Sequence, residues 1–254
     1  MQNQMTDNLS RSRVLFLDIA RGLAVLFMFA QHCILMHEKT GGEGSNVLAS
    51  IFIFLGTAPA APVFMLIMGV FVARAKTSFR GNVLRGFKLF AAGYLLNFLR
   101  FSLPMLIAGE SPLEMLFTVD ILQLAGLSLI AAACIQQLLD IAVIPPVIIL
   151  AVLLISPVLW QNFGDSSVFA FLWGTGEDVF FPFFPWFVYP LLGMYLSTFL
   201  LAMDTQKGHS KKLLLAGLIF LLIGIIVYPF FPVGDYHRSG AAIHVLIIGF
   251  VCIW

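Results

Sequence analysis

The first long apolar run of this chain carries an acid, a base and an imidazole, Asp18, Arg21 and His32. Ionisable groups placed in a bilayer are expensive when unpaired, so they mark function by default. On a helix, Arg21 and His32 are eleven positions apart, nearly three full turns. They share one stripe about 16 Å long, with Asp18 roughly 40° away. Two kinds of chemistry suit such a face: a proton or substrate relay, or acid–base catalysis at the imidazole. The plainer reading is an i,i+3 ion pair that anchors the helix beside a histidine used for packing. Two further segments add candidates at similar depth, Asn97 and Arg100 in one and Asp120 with Gln123 in the other. His32, Arg100 and Asp120 are therefore expected to converge. The rival expectations are that Arg100 snorkels to the interface and that Asp120 merely starts a helix. His37 and His237 read as loop residues, and His244 opens the last run.

The elements that must position these groups are membrane helices. Of 254 residues, 60% are apolar and only 11% charged, and the mean hydropathy is +0.99. A soluble domain carries about a quarter charged residues, so this chain cannot cover a surface in water. Apolar runs of roughly 20 residues, enough for a ~30 Å hydrocarbon core, recur along its whole length. Stretches such as 213–226 show none of the alternation of a barrel strand, which leaves helices. Spans are predicted at 14–36, 47–73, 82–103, 115–137, 141–160, 179–202, 211–232 and 240–254, a polytopic all-α bundle of about eight. Pro59 and Pro62 predict a kink in the second. The tail 1–13 is expected in the cytoplasm and 14–254 as one domain. The last run stops at Trp254 without a polar flank, which predicts that the natural chain continues.

Charge sets the expected orientation. With the N-terminus inside, ten cations flank the cytoplasmic ends: Arg11, Arg13, Arg74, Lys76, Arg80, Arg85, Lys88, Lys207, Lys211 and Lys212. Only Lys39 and Arg238 fall outside, a bias of the expected sign. A net charge of +1 and the absence of a long basic block argue against a nucleic-acid partner. Cys33, Cys134 and Cys252 lie singly in apolar runs and read as buried free thiols, with no metal site. Gly22, Gly69, Gly93 and Gly193 suit close helix packing.

The run Leu17, Asp18, Arg21, Gly22, Ala24, Met28, His32 resembles the opening of the transmembrane acyltransferase superfamily. Three more stretches resemble one branch, the heparan-α-glucosaminide N-acetyltransferase catalytic-domain family and its bacterial relatives. They are Ala61-Pro62-Val63-Phe64-Met65-Leu66-Ile67-Met68-Gly69, Asp120-Ile121-Leu122-Gln123, and Phe181-Pro182-Phe183-Phe184-Pro185-Trp186-Phe187 leading to Gly193. The resemblance implies an enzyme that takes acetyl from acetyl-CoA at the cytoplasmic face and passes it to an amino sugar or cell-envelope glycan on the other side. It implies His32 as general base or acyl carrier. Their expected depth, and not the resemblance, suggests Asp120 for orienting it and Arg100 or Gln123 for steadying the oxyanion. Arg21, held by Asp18, together with Arg85 and Lys88, would face the polyanionic end of CoA. A histidine at position 32 resembles the bacterial and O-acyltransferase branches, which leaves N- and O-acylation open. The expected partners are the lipid bilayer of a bacterial inner membrane, acyl-CoA and the glycan, with a homodimer left open. A transporter or flippase, or a non-catalytic membrane subunit, are the competing readings; the absence of internal repeats weakens the first.

Overall fold

The computed structural model describes residues 15–39, 46–75, 78–109, 111, 115–138, 144–165, 169–202, 208–230 and 240–254. The tail 1–13, Lys76, Lys207, His237 and Arg238 lie outside the described residues. Helices dominate: α1 Leu15–Lys39, α2 Val47–Thr57, α3 Ala60–Arg74, α4 Phe79–Asn97 and α5 Leu103–Ala108 make the first half. The second half holds α6 Ile121–Leu138, α7 Ile144–Phe163, α8 Ala170–Trp173, α9 Phe183–Trp186, α10 Val188–Leu201, α11 His209–Val227 and α12 Ala241–Ile253. Among the described residues the only β-type pairing is one parallel bridge, Val119 with Val179.

Six stretches are long and apolar enough to cross a membrane: Leu15–His37, Val47–Arg74, Phe79–Ala108, Pro145–Phe163, Phe183–Leu201 and His209–Phe230. The chain is an integral membrane protein by this measure. The expected fourth and eighth spans are shorter helices, Ile121–Gln137 and Ala241–Ile253. The fourth starts six residues later than the hydropathy suggests. Residues 115–117 form a turn, and Val119 then pairs its backbone with Asp178 and Phe180 instead of entering a helix.

Local chemistry explains the breaks. Proline lacks the N–H an interior turn needs. The second span accordingly divides at Ala58 and Pro59 into α2 and α3. Side-chain caps start two helices: Asn46 accepts from the Ala49 N–H at 2.9 Å, and Ser78 accepts from the Gly81 N–H at 3.2 Å. Between α4 and α5 the helix widens into a π turn, Phe98–Ser102.

The core lies where α3 meets α10, with Met65, Val70, Trp186, Tyr189, Leu191 and Met194 fully buried. Apolar burial drives little association inside lipid, so close backbone approach must carry it. Here a side chain at Gly69 would run into the Pro190 carbonyl, and one at Gly193 into that of Leu66. Gly22, by contrast, faces open space and has no packing role. Around this centre α4 packs on α6, α11 on α12, α7 on α10, and α1 on both α2 and α3. The helix α1 buries only a thin stripe, so Cys33 is exposed rather than buried, whereas Cys252 is buried as expected.

Candidate functional site

Four helix ends surround a cavity of about 540 Å³. The end of α1 contributes His32, the α2–α3 break contributes Gly56 and Thr57, and the π turn contributes Arg100. The start of α6 brings Asp120, and the segment entering α9 brings Asp178, Phe180 and Phe181. Three residues from distant parts of the sequence, His32, Arg100 and Asp120, thus line one space.

His32 sits on the shoulder of α1. At ~100° per residue its side chain lies roughly 60–80° round from the buried pair Leu17 and Ala24. That direction points past the α1–α3 contact into the cavity. Its Nδ1 is 2.7 Å from the Met28 carbonyl oxygen. A carbonyl can only accept, so Nδ1 carries a proton here, and it is the neutral form of this ring that offers a lone pair on Nε2. The ring is oriented by its own helix, with Met28 in the place proposed from sequence for Asp120.

Arg100 rides on the π turn, a device that often re-aims a side chain at functional sites. Its guanidinium stands 4.8 Å above the centre of the Phe101 ring. Both residues line the cavity.

Asp120 has two duties. Its Oδ1 accepts from the Ile121 N–H at 2.7 Å and so starts α6, while its own N–H donates to Gln123 Oε1 at 3.1 Å. This is a reciprocal helix-start arrangement of the capping-box kind. Gln123 is fully buried and does not reach the cavity wall. Its Nε2 donates to the Thr118 carbonyl at 3.3 Å, beneath the site, and the amide packs against Gly93. The same Thr118 oxygen accepts from Asn97 Nδ2 at 2.6 Å, and Asn97 also reaches the Leu116 carbonyl at 3.1 Å. Asn97 stands three residues before Arg100. A single buried amide therefore sets α4, with Arg100, against the turn that delivers Asp120.

The opposite wall is fixed by backbone. Val119 N–H donates to the Asp178 carbonyl, and Phe180 N–H to the Val119 carbonyl, both at 2.9 Å. The bridge places Asp178 beside Asp120 on the cavity rim. Asp178 is not among the candidates that the sequence offers. Nothing local in the sequence signals a pairing across some sixty residues.

Asp18 and Arg21 form the expected pair at 3.2 Å, with 32% and 49% of their side chains exposed. Neither lines the cavity, and Arg85 and Lys88 are exposed on α4 and likewise away from it. His37 ends α1 rather than lying in a loop, and His244 is buried.

The model of the heparan-alpha-glucosaminide N-acetyltransferase catalytic family matches residues 13–231, most of the chain and all four helix ends around the cavity. The chain belongs to this family. Membership carries a membrane acetyltransferase-type function, and in this chain an imidazole, a guanidinium and a carboxyl group share one pocket. No curated protein and no solved structure matches the chain.

Proposed function

We propose that this family member takes an acetyl group from acetyl-CoA at the cytoplasmic face of a bacterial inner membrane. It passes the group to an amino sugar or cell-envelope glycan on the far side. The observation that carries the reading is the shared cavity of His32, Arg100 and Asp120. A 16 Å separation along α1 between Arg21 and His32 suits the uncharged pantetheine arm of the donor, about 15–20 Å long. Arg21, Arg85 and Lys88 offer positive charge to its phosphates, with Asp18 holding Arg21 in place.

In the step proposed, the acceptor's N–H or O–H hydrogen-bonds to His32 Nε2 and its heteroatom attacks the thioester carbonyl. The proton passes to Nε2 as the new bond forms. The C–S bond then breaks and the proton leaves with the CoA thiol. Arg100 faces the oxygen that becomes negative between these events. Asp120 stabilises the imidazolium and keeps the rim polar.

The test is transfer of radiolabelled acetyl from acetyl-CoA to a glucosamine-terminated acceptor by protein in nanodiscs. We expect His32→Ala to lower kcat/KM by about 10²–10⁴-fold. Melting should stay within about a degree, because the ring is exposed and bonds only its own helix. Wild-type protein that neither transfers acetyl nor binds the donor would end the proposal.

A further inference from the structure

Among the described residues, the ionisable side chains on the cavity wall are His32, Arg100, Asp120 and Asp178. One guanidinium faces two carboxyl groups there. Asp120 and Arg100 balance each other in charge, and Asp178 is the surplus. Its position is imposed by main chain: the Asp178 carbonyl holds the Val119 N–H, one residue before Asp120, and Val179 pairs with Val119. The side chain takes no part in that bridge and is exposed on the rim. The rest of the described wall is largely apolar, including Met36, Phe101, Phe180 and Phe181, so the charge is screened chiefly by solvent and salt at the rim.

We propose that Asp178 selects the cavity's ligand by charge, admitting neutral or cationic acceptors and turning away those with an anionic group near the reacting atom. The acceptor part rests on the acyl-transfer reading above; the charge part does not. At separations near 8 Å, a unit charge in this setting changes the balance between a cation and an anion by about ten-fold.

Two measurements keep these apart. In protein whose Cys33, Cys134 and Cys252 are replaced by Ser, Met36→Cys puts a thiol on the wall. Its rates with positively and negatively charged methanethiosulfonate reagents of equal size report the local potential. We expect Asp178→Asn to cut the cation-to-anion rate ratio about ten-fold at low salt, Asp178→Glu to preserve it, and high salt to flatten the difference. A ratio within two-fold of the parent in Asp178→Asn overturns the proposal. The second measurement compares acetyl transfer to a methyl glucosaminide and to its 6-phosphate. Asp178→Asn should raise the relative use of the phosphorylated sugar about ten-fold without changing the KM for acetyl-CoA. An unchanged acceptor preference alongside a changed thiol ratio overturns selection of acceptors by Asp178. A changed thiol ratio with no transfer to any acceptor supports the charge role and counts against the enzymatic reading instead.

Discussion

Asp120 is where one side chain serves both the fold and the proposed chemistry, and the two can be separated. As an N-cap, asparagine serves almost as well as aspartate, while alanine costs about 1 kcal/mol. Asp120→Asn should therefore keep the bond to the Ile121 N–H and melt within about a degree of the parent. If the carboxylate assists the imidazole, the same variant should lose kcat about 100-fold, with the KM for acetyl-CoA little changed. Asp120→Ala should lose both activity and stability. Full activity in Asp120→Asn would reduce the residue to a helix start, the plain reading its sequence position already allowed. His32 and Arg100 present no such ambiguity. The former bonds only Met28 of its own helix and the latter stands over its neighbour Phe101, so neither stitches elements together.

Between elements, the joint that matters most is the buried amide of Asn97. It supplies donors to the Leu116 and Thr118 carbonyls from a side chain only 4% exposed. Without it the Thr118 carbonyl keeps only the longer bond from Gln123, and the half-buried Leu116 carbonyl loses its Asn97 donor, a loss of about 1–3 kcal/mol. Asn97→Leu should thus lower the apparent melting temperature in detergent by several degrees. Activity should fall even at temperatures where the protein stays folded, since α4 no longer sets Arg100 against Asp120. Unchanged melting and unchanged kcat would show that the joint does not position the site. The convergence of His32, Arg100 and Asp120 in one space was legible from depth along apolar runs, because helices convert sequence position into height. The roles of Asn97, Gln123 and Asp178 were not. Gln123 sits one turn from Asp120 yet points beneath the cavity, and the Val119–Val179 bridge depends on two loops meeting. Both are facts of packing that no period in the sequence encodes. The kink at Pro59 was readable for the opposite reason: it follows from the covalent structure of one residue.

At the scale of the whole molecule, the helix α12 poses a distinct question. The family match ends at residue 231, and α12, Ala241–Ile253, lies beyond it. Yet it is tied into the bundle at three levels. His244 Nδ1 lies 2.7 Å from the Tyr189 hydroxyl at the start of α10, and both side chains are fully buried. Phe250 meets Phe54 of α2 edge-on at 5.2 Å. Trp254 donates to the Ala20 carbonyl of α1 at 3.3 Å, and its ring stands edge-on to Phe27 at 5.4 Å. The helix α12 thereby braces α1 and α2, which line the cavity, and α10, which packs on α3 behind it, without contributing a residue to the wall. A brace should show itself in stability before it shows itself in rate. Tyr189→Phe removes one buried hydrogen bond and no volume, a loss of about 1–3 kcal/mol. For a chain of this size that corresponds to roughly 2–10 °C in melting temperature. At a temperature well below the transition, kcat and both KM values should stay within about three-fold of the parent. A large fall in kcat with unaltered melting would mean that the Tyr189–His244 pair acts on the reaction itself, and that α12 belongs to the catalytic machinery rather than to its frame.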